Sequence, residues 1–342
     1  MDMPTAINQV LAGKDMSHDE MFDVMNLIMT GAATDAQIGG FLVGLRAKGE
    51  SVTEITAAAS VMRSLATPVQ VTSGDVVDTC GTGGSGSNKF NVSTASAFVA
   101  AAAGAVIAKH GNRAASSKSG SADVLEALGA EIVLTPEQVG RCIDTCGIGF
   151  LFALSHHGAM KHAIGPRKEM TVRTIFNLLG PLTNPAGAKR QLLGVYDIKW
   201  VKPIAEVLQK LGSEHVMVVH SEDGLDEISI AAPTRVAELK AGEVVEYTIA
   251  PEDFGLAPSA LSELVVTDVD ESVGLVKHAL AGSHTGARDI VCLNAGAAIY
   301  VAGLCADLKA GVEMAQDAIG SGLAKQKLKE FVDFTRQLQV SS

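Results

Sequence analysis

The segment Asp78-Thr79-Cys80-Gly81-Thr82-Gly83-Gly84-Ser85-Gly86 has the make-up of a loop that turns backbone N–H groups toward an anion. Glycine permits the backbone angles such a turn needs. A helix expected to start around Asn91 to Thr94 would aim unpaired N–H groups and its positive end at the same point. Ser93 and Thr94 would add hydroxyls there. Taken literally, Gly81-x-Gly83-x-x-Gly86 fits a dinucleotide fingerprint, which requires an acidic residue about 20 positions on. From Gly81 through Ala122 there is no Asp or Glu, whereas Lys89, Lys109, Arg113 and Lys118 are basic. No Gly-Lys-Ser/Thr closes the loop, so a P-loop fails as well. These residues suit a ligand richer in phosphate than one dinucleotide bridge; a glycine turn without a ligand is the plain alternative.

Two further segments bear on the same chemistry. Lys109-His110-Gly111-Asn112-Arg113 ends a predicted strand, and in an open parallel sheet ligands gather at the carboxyl ends of strands. The glycine loop occupies such an end too, so the two should lie side by side. Ser116-Ser117-Lys118-Ser119-Gly120-Ser121 then enters another helix near Ser121 or Asp123. Next to the glycine loop it offers hydroxyls and N–H groups to a second phosphate, although serine-rich loops are often merely flexible.

A third strand end carries His220-Ser221-Glu222-Asp223-Gly224-Leu225-Asp226-Glu227. Adjacent carboxylates beside bound phosphates suggest Mg²⁺, which is held by one or two carboxylates plus ligand oxygens and water. On spacing alone, a solvated acidic turn is the better reading. His156, His157 and His162 form no HExxH pattern, and Mg²⁺ prefers oxygen, so a histidine metal site is not expected. Arg167, in the Gly-Pro loop 165–168, has the planar fork that grips a carboxylate. A lone loop arginine is also an ordinary solvated charge.

Positioning these groups requires a particular order of elements. Residues 1–67 read as helices only: one opened by Ser17, one capped by Thr34 or Asp35, one from Thr53 to Leu65 before Pro68. From Val69, short β-branched runs alternate with helical stretches. Strands are expected at 76–77, 106–107, 131–134, 148–154, 191–196 and 215–220, a hairpin at 234–249, and helices from 271 to 338. This rhythm predicts an α/β fold, a mainly parallel central sheet flanked by helices. The chain has 342 residues, net charge −11 and 47% hydrophobic content. Such an acidic balance argues against nucleic acid as partner. The apolar run 97–108 is too short to cross a membrane, and the first residues are no secretory signal. Five scattered cysteines without a CxxC pair read as reduced thiols of a cytoplasmic protein.

Taken in order, the motifs resemble the anthranilate phosphoribosyltransferase family. The resemblance rests on GTGG at 81–84, NVST at 91–94, KHGNR at 109–113 and SSKSGSADVLEALG at 116–129, then RTIFNLLGPLTNPA at 173–186 and DGLDE at 223–227. It implies a nucleoside phosphorylase/phosphoribosyltransferase-like fold. A small helical domain, 1–67 joined by helices from about 163–185, would stand beside an α/β catalytic domain, 68–342. It implies a homodimer through the helical domains. The donor would be phosphoribosyl pyrophosphate, at Gly81, Gly84, Asn91, Val92, Ser93, Thr94, Lys109, His110, Gly111, Asn112, Arg113, Ala114, Ala115, Ser116, Ser117 and Ser121. Ser85 and Lys89 fall beside its phosphates, and both depart from the family's usual aspartate and small residue. Mg²⁺ would sit at Ser93, Asp226 and Glu227, and anthranilate near Gly81, Asn112 and Arg167; no general base is assigned. The implied reaction gives N-(5-phosphoribosyl)anthranilate and pyrophosphate in tryptophan synthesis. Rival readings are a pyrimidine nucleoside phosphorylase, which shares the fold and needs no metal-binding DGLDE, and a non-catalytic nucleic-acid-binding homologue.

Overall fold

In the computed structural model, which describes residues 1–84, 86–114 and 118–340, side-chain caps fix where the first helices begin. Asp2, Ser17, Thr34 and Ser51 each accept a backbone N–H, opening α1 (Met3–Leu11), α2 (His18–Met29), α3 (Asp35–Lys48) and α4 (Val52–Leu65). The last three complete capping boxes with Glu20, Gln37 and Glu54. Ser51, not Thr53, is therefore the start signal of α4. Helix α1 was not among the expected ones; Asp2 and a proline in its first turn create it. Glu54 is buried, where it accepts from Met16 N and Ser51 N and pairs with Lys48 at 2.9 Å.

The alternating part follows. It runs β1 (Val77–Gly81), α5 (Val92–Ala102), β2 (Ile107–Gly111), α6 (Ser121–Ala127), α7 (Pro136–Cys146) and β3 (Ile148–Phe152). Three short helices come next, α8 (Ala153–His156), α9 (Lys161–Met170) and α10 (Phe176–Leu179). Then come β4 (Arg190–Gly194), α11 (Val201–Lys210), β5 (His215–Ser221) and the hairpin β6 (Thr234–Lys240) and β7 (Glu243–Ile249). Helices α12 (Val269–Leu280), α13 (Thr285–Val301), α14 (Leu308–Gly320) and α15 (Leu323–Val340) close the chain. The sheet order is β3-β2-β1-β4-β5-β6-β7, parallel through β5 and antiparallel in the hairpin. Among the described residues, no helix is long and apolar enough to cross a membrane.

The expected strand at 131–134 does not form. Ile132 and Leu134 are buried and Val133 is exposed, the alternation of a strand. Yet the segment connects α6 to α7 outside the sheet, and its N–H groups go to side chains: Glu131 N to Thr335 Oγ1 and Val133 N to Glu131 Oε1. The third strand also stops earlier than expected, at Phe152, where α8 begins, and the fourth ends at Gly194.

The sheet is covered on both faces. Along β5, Met217 and Val219 enter one core, with α5 and α13, while Val216 and Val218 enter the other, with α4 and α11. Helices α9 and α10 pack on α2, α3 and α4. Strand β1 carries β2 and β3 on one side and β4 and β5 on the other. Connections thus leave in opposite directions between β1 and β4, which opens a crevice at their carboxyl ends.

Candidate active site

Gly81 and Gly194 face each other across β1 and β4 at that crevice. A Cβ on Gly81 would meet Asp226 Oδ2 at 2.9 Å, and one on Gly194 would collide with the Asp226 carbonyl. Two glycines on adjacent strands therefore make the room in which the turn after β5 delivers Asp226 and Glu227. The cavity there measures about 600 Å³. Residues 81–84 border it, as do Asn91 and Ser93 at the start of α5, residues 109–114 at the end of β2 and just beyond, residues 119–121, and the two carboxylates. The three strand tips singled out in the sequence converge.

The charges meet at its floor. Lys109 is buried, and its Nζ donates to the Thr79 carbonyl at 2.5 Å and to Ser93 Oγ at 3.2 Å. Burial holds its pKa below the usual lysine value. Glu227 lies deep in the protein yet is reached through the cavity. Desolvation, and then its neighbour Asp226, push its carboxyl well above the ordinary range, although Ser93 N–H donates to it at 3.1 Å. Within β1, buried Asp78 accepts His110 N–H at 3.0 Å and the Cys80 thiol at 3.4 Å. Desolvation raises the Cys80 thiol well above its usual value, so it is no thiolate nucleophile. The rings of His110 and His157 are 5.1 Å apart, and burial drives their pKa values down to about 3 and about 4. Both are neutral at pH 7.

Several sequence expectations are altered by this geometry. The first turn of α5 does not hold its N–H groups open. Val92 N donates to the Phe90 carbonyl, Ser93 N to Glu227, and Thr94 N and Ala95 N to the Asn91 carbonyl. Val92 and Thr94 are buried and do not border the cavity. Asn91 does; its Oδ1 accepts from Ser119 Oγ and Ser272 Oγ at 2.8 Å each, tying α5, α12 and the serine loop together. Arg113 reaches the rim but is already paired with Asp123 and Glu126. Asp123 also gathers Ala114 N and Gly120 N at 2.9 Å each, which shapes the loop after β2. Lys89 lies in a side pocket that Asp226 and Glu227 also border. Ser85, Ala115, Ser116 and Ser117 lie outside the described residues.

Arg167 is not in a loop. It sits in the last turn of α9, after a buried Pro166 inside that helix, with its guanidinium 5.1 Å from the Phe176 ring centre. It does not border the cavity. Arg173 does, together with Tyr196 and Gly194, three residues that sequence reasoning did not single out. Arg173 stood in a quoted motif, but nothing in its spacing separated it from Arg167.

Among the described residues, no group of three His, Cys, Asp or Glu side chains could hold a metal ion by itself. The oxygen-only pair Asp226 and Glu227, open to the cavity, fits a hard cation that arrives with ligand phosphates.

Residues 4–66 match the helical bundle domain model of the glycosyl transferase family, and residues 73–325 match that family's a/b domain. Anthranilate phosphoribosyltransferase of a Marinomonas species is 63% identical over 98% of each chain; that of Thioalkalivibrio sulfidiphilus is 62% identical over 98% of this chain and 99% of its own. The chain belongs to the anthranilate phosphoribosyltransferase family. The family's crystal structure from Thermus thermophilus covers 97% of this chain and 99% of its own, at 43% identity with a TM-score of 0.91. The Saccharomyces cerevisiae anthranilate phosphoribosyltransferase, in complex with PRPP and Mg, gives 0.88 at 26% identity over 98% of each chain. The helical unit followed by a mostly parallel α/β sheet is thus the architecture of anthranilate phosphoribosyltransferases.

Proposed function

We propose that this chain transfers the 5-phosphoribosyl group of phosphoribosyl pyrophosphate to the amine of anthranilate, releasing pyrophosphate, as a step of tryptophan biosynthesis. The observation that carries the reading is the meeting of buried Lys109 with the pair Asp226 and Glu227 in one cavity. On this reading the donor lies along 81–84, Asn91, Ser93, 109–114 and Ser121. Ser85, Lys89, Val92, Thr94 and 115–117 complete that side of the proposal. Asp226 and Glu227, with Ser93, would hold Mg²⁺, which when bound neutralises charge developing on the pyrophosphate.

The chain's own part is positioning and fixed charge. Lys109, held by Thr79 and Ser93, directs a cation toward the leaving group without reorganising. As the bond from the anomeric carbon to pyrophosphate breaks, the ribose gains oxocarbenium-like character and the anthranilate amine attacks that carbon. The aryl ammonium so formed is acidic enough to lose its proton without a dedicated base. Gly81, Asn112 and Arg167 would take the acceptor, Arg167 leaving the Phe176 ring to grip the carboxylate. Holding two substrates face to face supplies much of the rate.

We take 1–67 with 163–185 as one helical unit that pairs two copies of the chain, and 68–342 as the catalytic unit. The five free thiols support a cytoplasmic setting. Mixing the protein with anthranilate, phosphoribosyl pyrophosphate and Mg²⁺ should make anthranilate fluorescence fall, and EDTA should stop it. Asp226→Ala with Glu227→Ala should lower turnover by about 100-fold or more; unchanged kinetics would remove both from the metal site. Metal-independent phosphorolysis of thymidine would identify a nucleoside phosphorylase instead. Tight, salt-sensitive DNA binding without turnover would identify a non-catalytic homologue.

A further inference from the structure

Arg173 lies between α9 and α10 and borders the cavity. Its Nη2 donates to the carbonyl of Gly84 in the glycine loop. Its guanidinium carbon stands 4.4 Å from the centre of the Tyr196 ring, a stacking that orients the fork. Tyr196 N–H in turn donates to Thr82 Oγ1 at 3.0 Å, and its hydroxyl accepts from Trp200 Nε1 at 3.1 Å. A continuous set of contacts thus joins Trp200, Tyr196, Arg173 and the glycine loop. The other cavity cations are differently engaged: Arg113 is paired with two carboxylates, and Lys109 is buried beneath Ser93. Arg173 has no carboxylate partner among the described residues and spends its charge on a neutral carbonyl.

We propose that Arg173 is a latch on the glycine loop that exchanges partners when the donor enters, releasing the Gly84 carbonyl and taking phosphate oxygens of the donor. The exchange is favoured because a guanidinium bonds an anionic phosphate, in bidentate geometry, more strongly than a neutral carbonyl. The loop is built to permit it. Gly83 and Gly84 have φ of 64° and 80°, a backbone that a side chain would resist, so Gly84 is free to redirect its carbonyl once the guanidinium leaves it. A Cβ on Gly84 would stand 3.3 Å from Arg173 Nη2, so the glycine also admits the close approach.

The inference rests on phosphoribosyl pyrophosphate being the donor, and the wild-type assay tests that separately. Arg173→Gln is expected to raise the donor KM about tenfold, as loss of one charge-assisted contact would, with the acceptor KM unchanged. Arg173→Lys, which keeps the charge but not the fork, should fall between. Trp200 is the sole tryptophan, so donor with Mg²⁺, added without acceptor, should alter wild-type emission. Saturating Arg173→Gln with donor should leave its emission unmoved. An active wild type whose Trp200 emission ignores the donor overturns the latch. So does an Arg173→Gln variant that keeps the donor KM, loses both substrates alike or loses kcat alone. A wild type that makes no product overturns the donor reading instead.

Discussion

Two arginines six positions apart meet different surroundings, and their chemistry follows from these. Arg167 packs on Phe176 within the helical layer, and burial lowers its pKa from the usual arginine value. Arg167→Ala is expected to raise the KM for anthranilate by about tenfold, the worth of one charged hydrogen bond, and to leave the donor KM unchanged. Steady-state kinetics varying each substrate decides it; equal effects would argue against carboxylate recognition. A second consequence at this scale concerns His157, neutral in the fold because burial, and then the field of His156, push its pKa down to about 4. In the unfolded chain it protonates near its ordinary value of about 6.5. Its folded pKa is depressed, so its contribution is fully present above about pH 6.5 and is lost as pH falls toward 4. Between pH 7 and 5 that amounts to about 2 kcal/mol. His157→Asn should therefore flatten the fall in urea midpoint over that window, and an identical slope in both proteins would refute the assignment.

Elements were legible in the sequence where their signals are local. Ser17 and Thr34 cap helices because the partner N–H lies three residues on, so chain order alone reveals them. The glycine loop and the KHGNR tip were legible because both follow strands, and parallel strands bring their ends to one edge. The segment 131–134 misled because burial alternates along any extended stretch laid on a core, paired or not. Tertiary fits were not legible at all. The fit of Gly194 against Asp226 spans 32 positions, a relation no period of the sequence encodes. A methyl at Gly194 would push into the Asp226 carbonyl, so Gly194→Ala should displace the carboxylate-bearing turn. It is expected to destabilise the fold by about 1–3 kcal/mol and to reduce turnover more than it reduces stability at assay temperature. Gly165→Ala, whose Cβ would meet nothing within 4 Å, is the control. Thermal melts beside turnover measurements test the pair, and a Gly194→Ala enzyme of wild-type activity would show that the fit is not needed.

At the scale of the whole molecule, apolar surface is left on the helical unit. Leu11 on α1 is 70% exposed and Val43 on α3 is 48% exposed. The two helices pack together, and the Leu11 side chain would lie 3.9 Å from a Cβ on Gly44. These residues therefore contribute to one face of the bundle, which the proposed pairing of two copies would bury. The isolated chain weighs 35.3 kDa, and sedimentation should return twice that mass. Leu11→Asp with Val43→Asp should return the mass of one chain, because two charges would have to be desolvated in the contact. If each chain carries a whole site, as the proposed function has it, the separated chains should keep kcat within about a factor of three, since no group that stabilises the transition state is removed. If instead the double variant sediments as a pair, the contact lies elsewhere. If it becomes monomeric and inactive while still folded by circular dichroism, pairing must hold the helical layer against the sheet, and with it the segment 171–173 at the cavity rim.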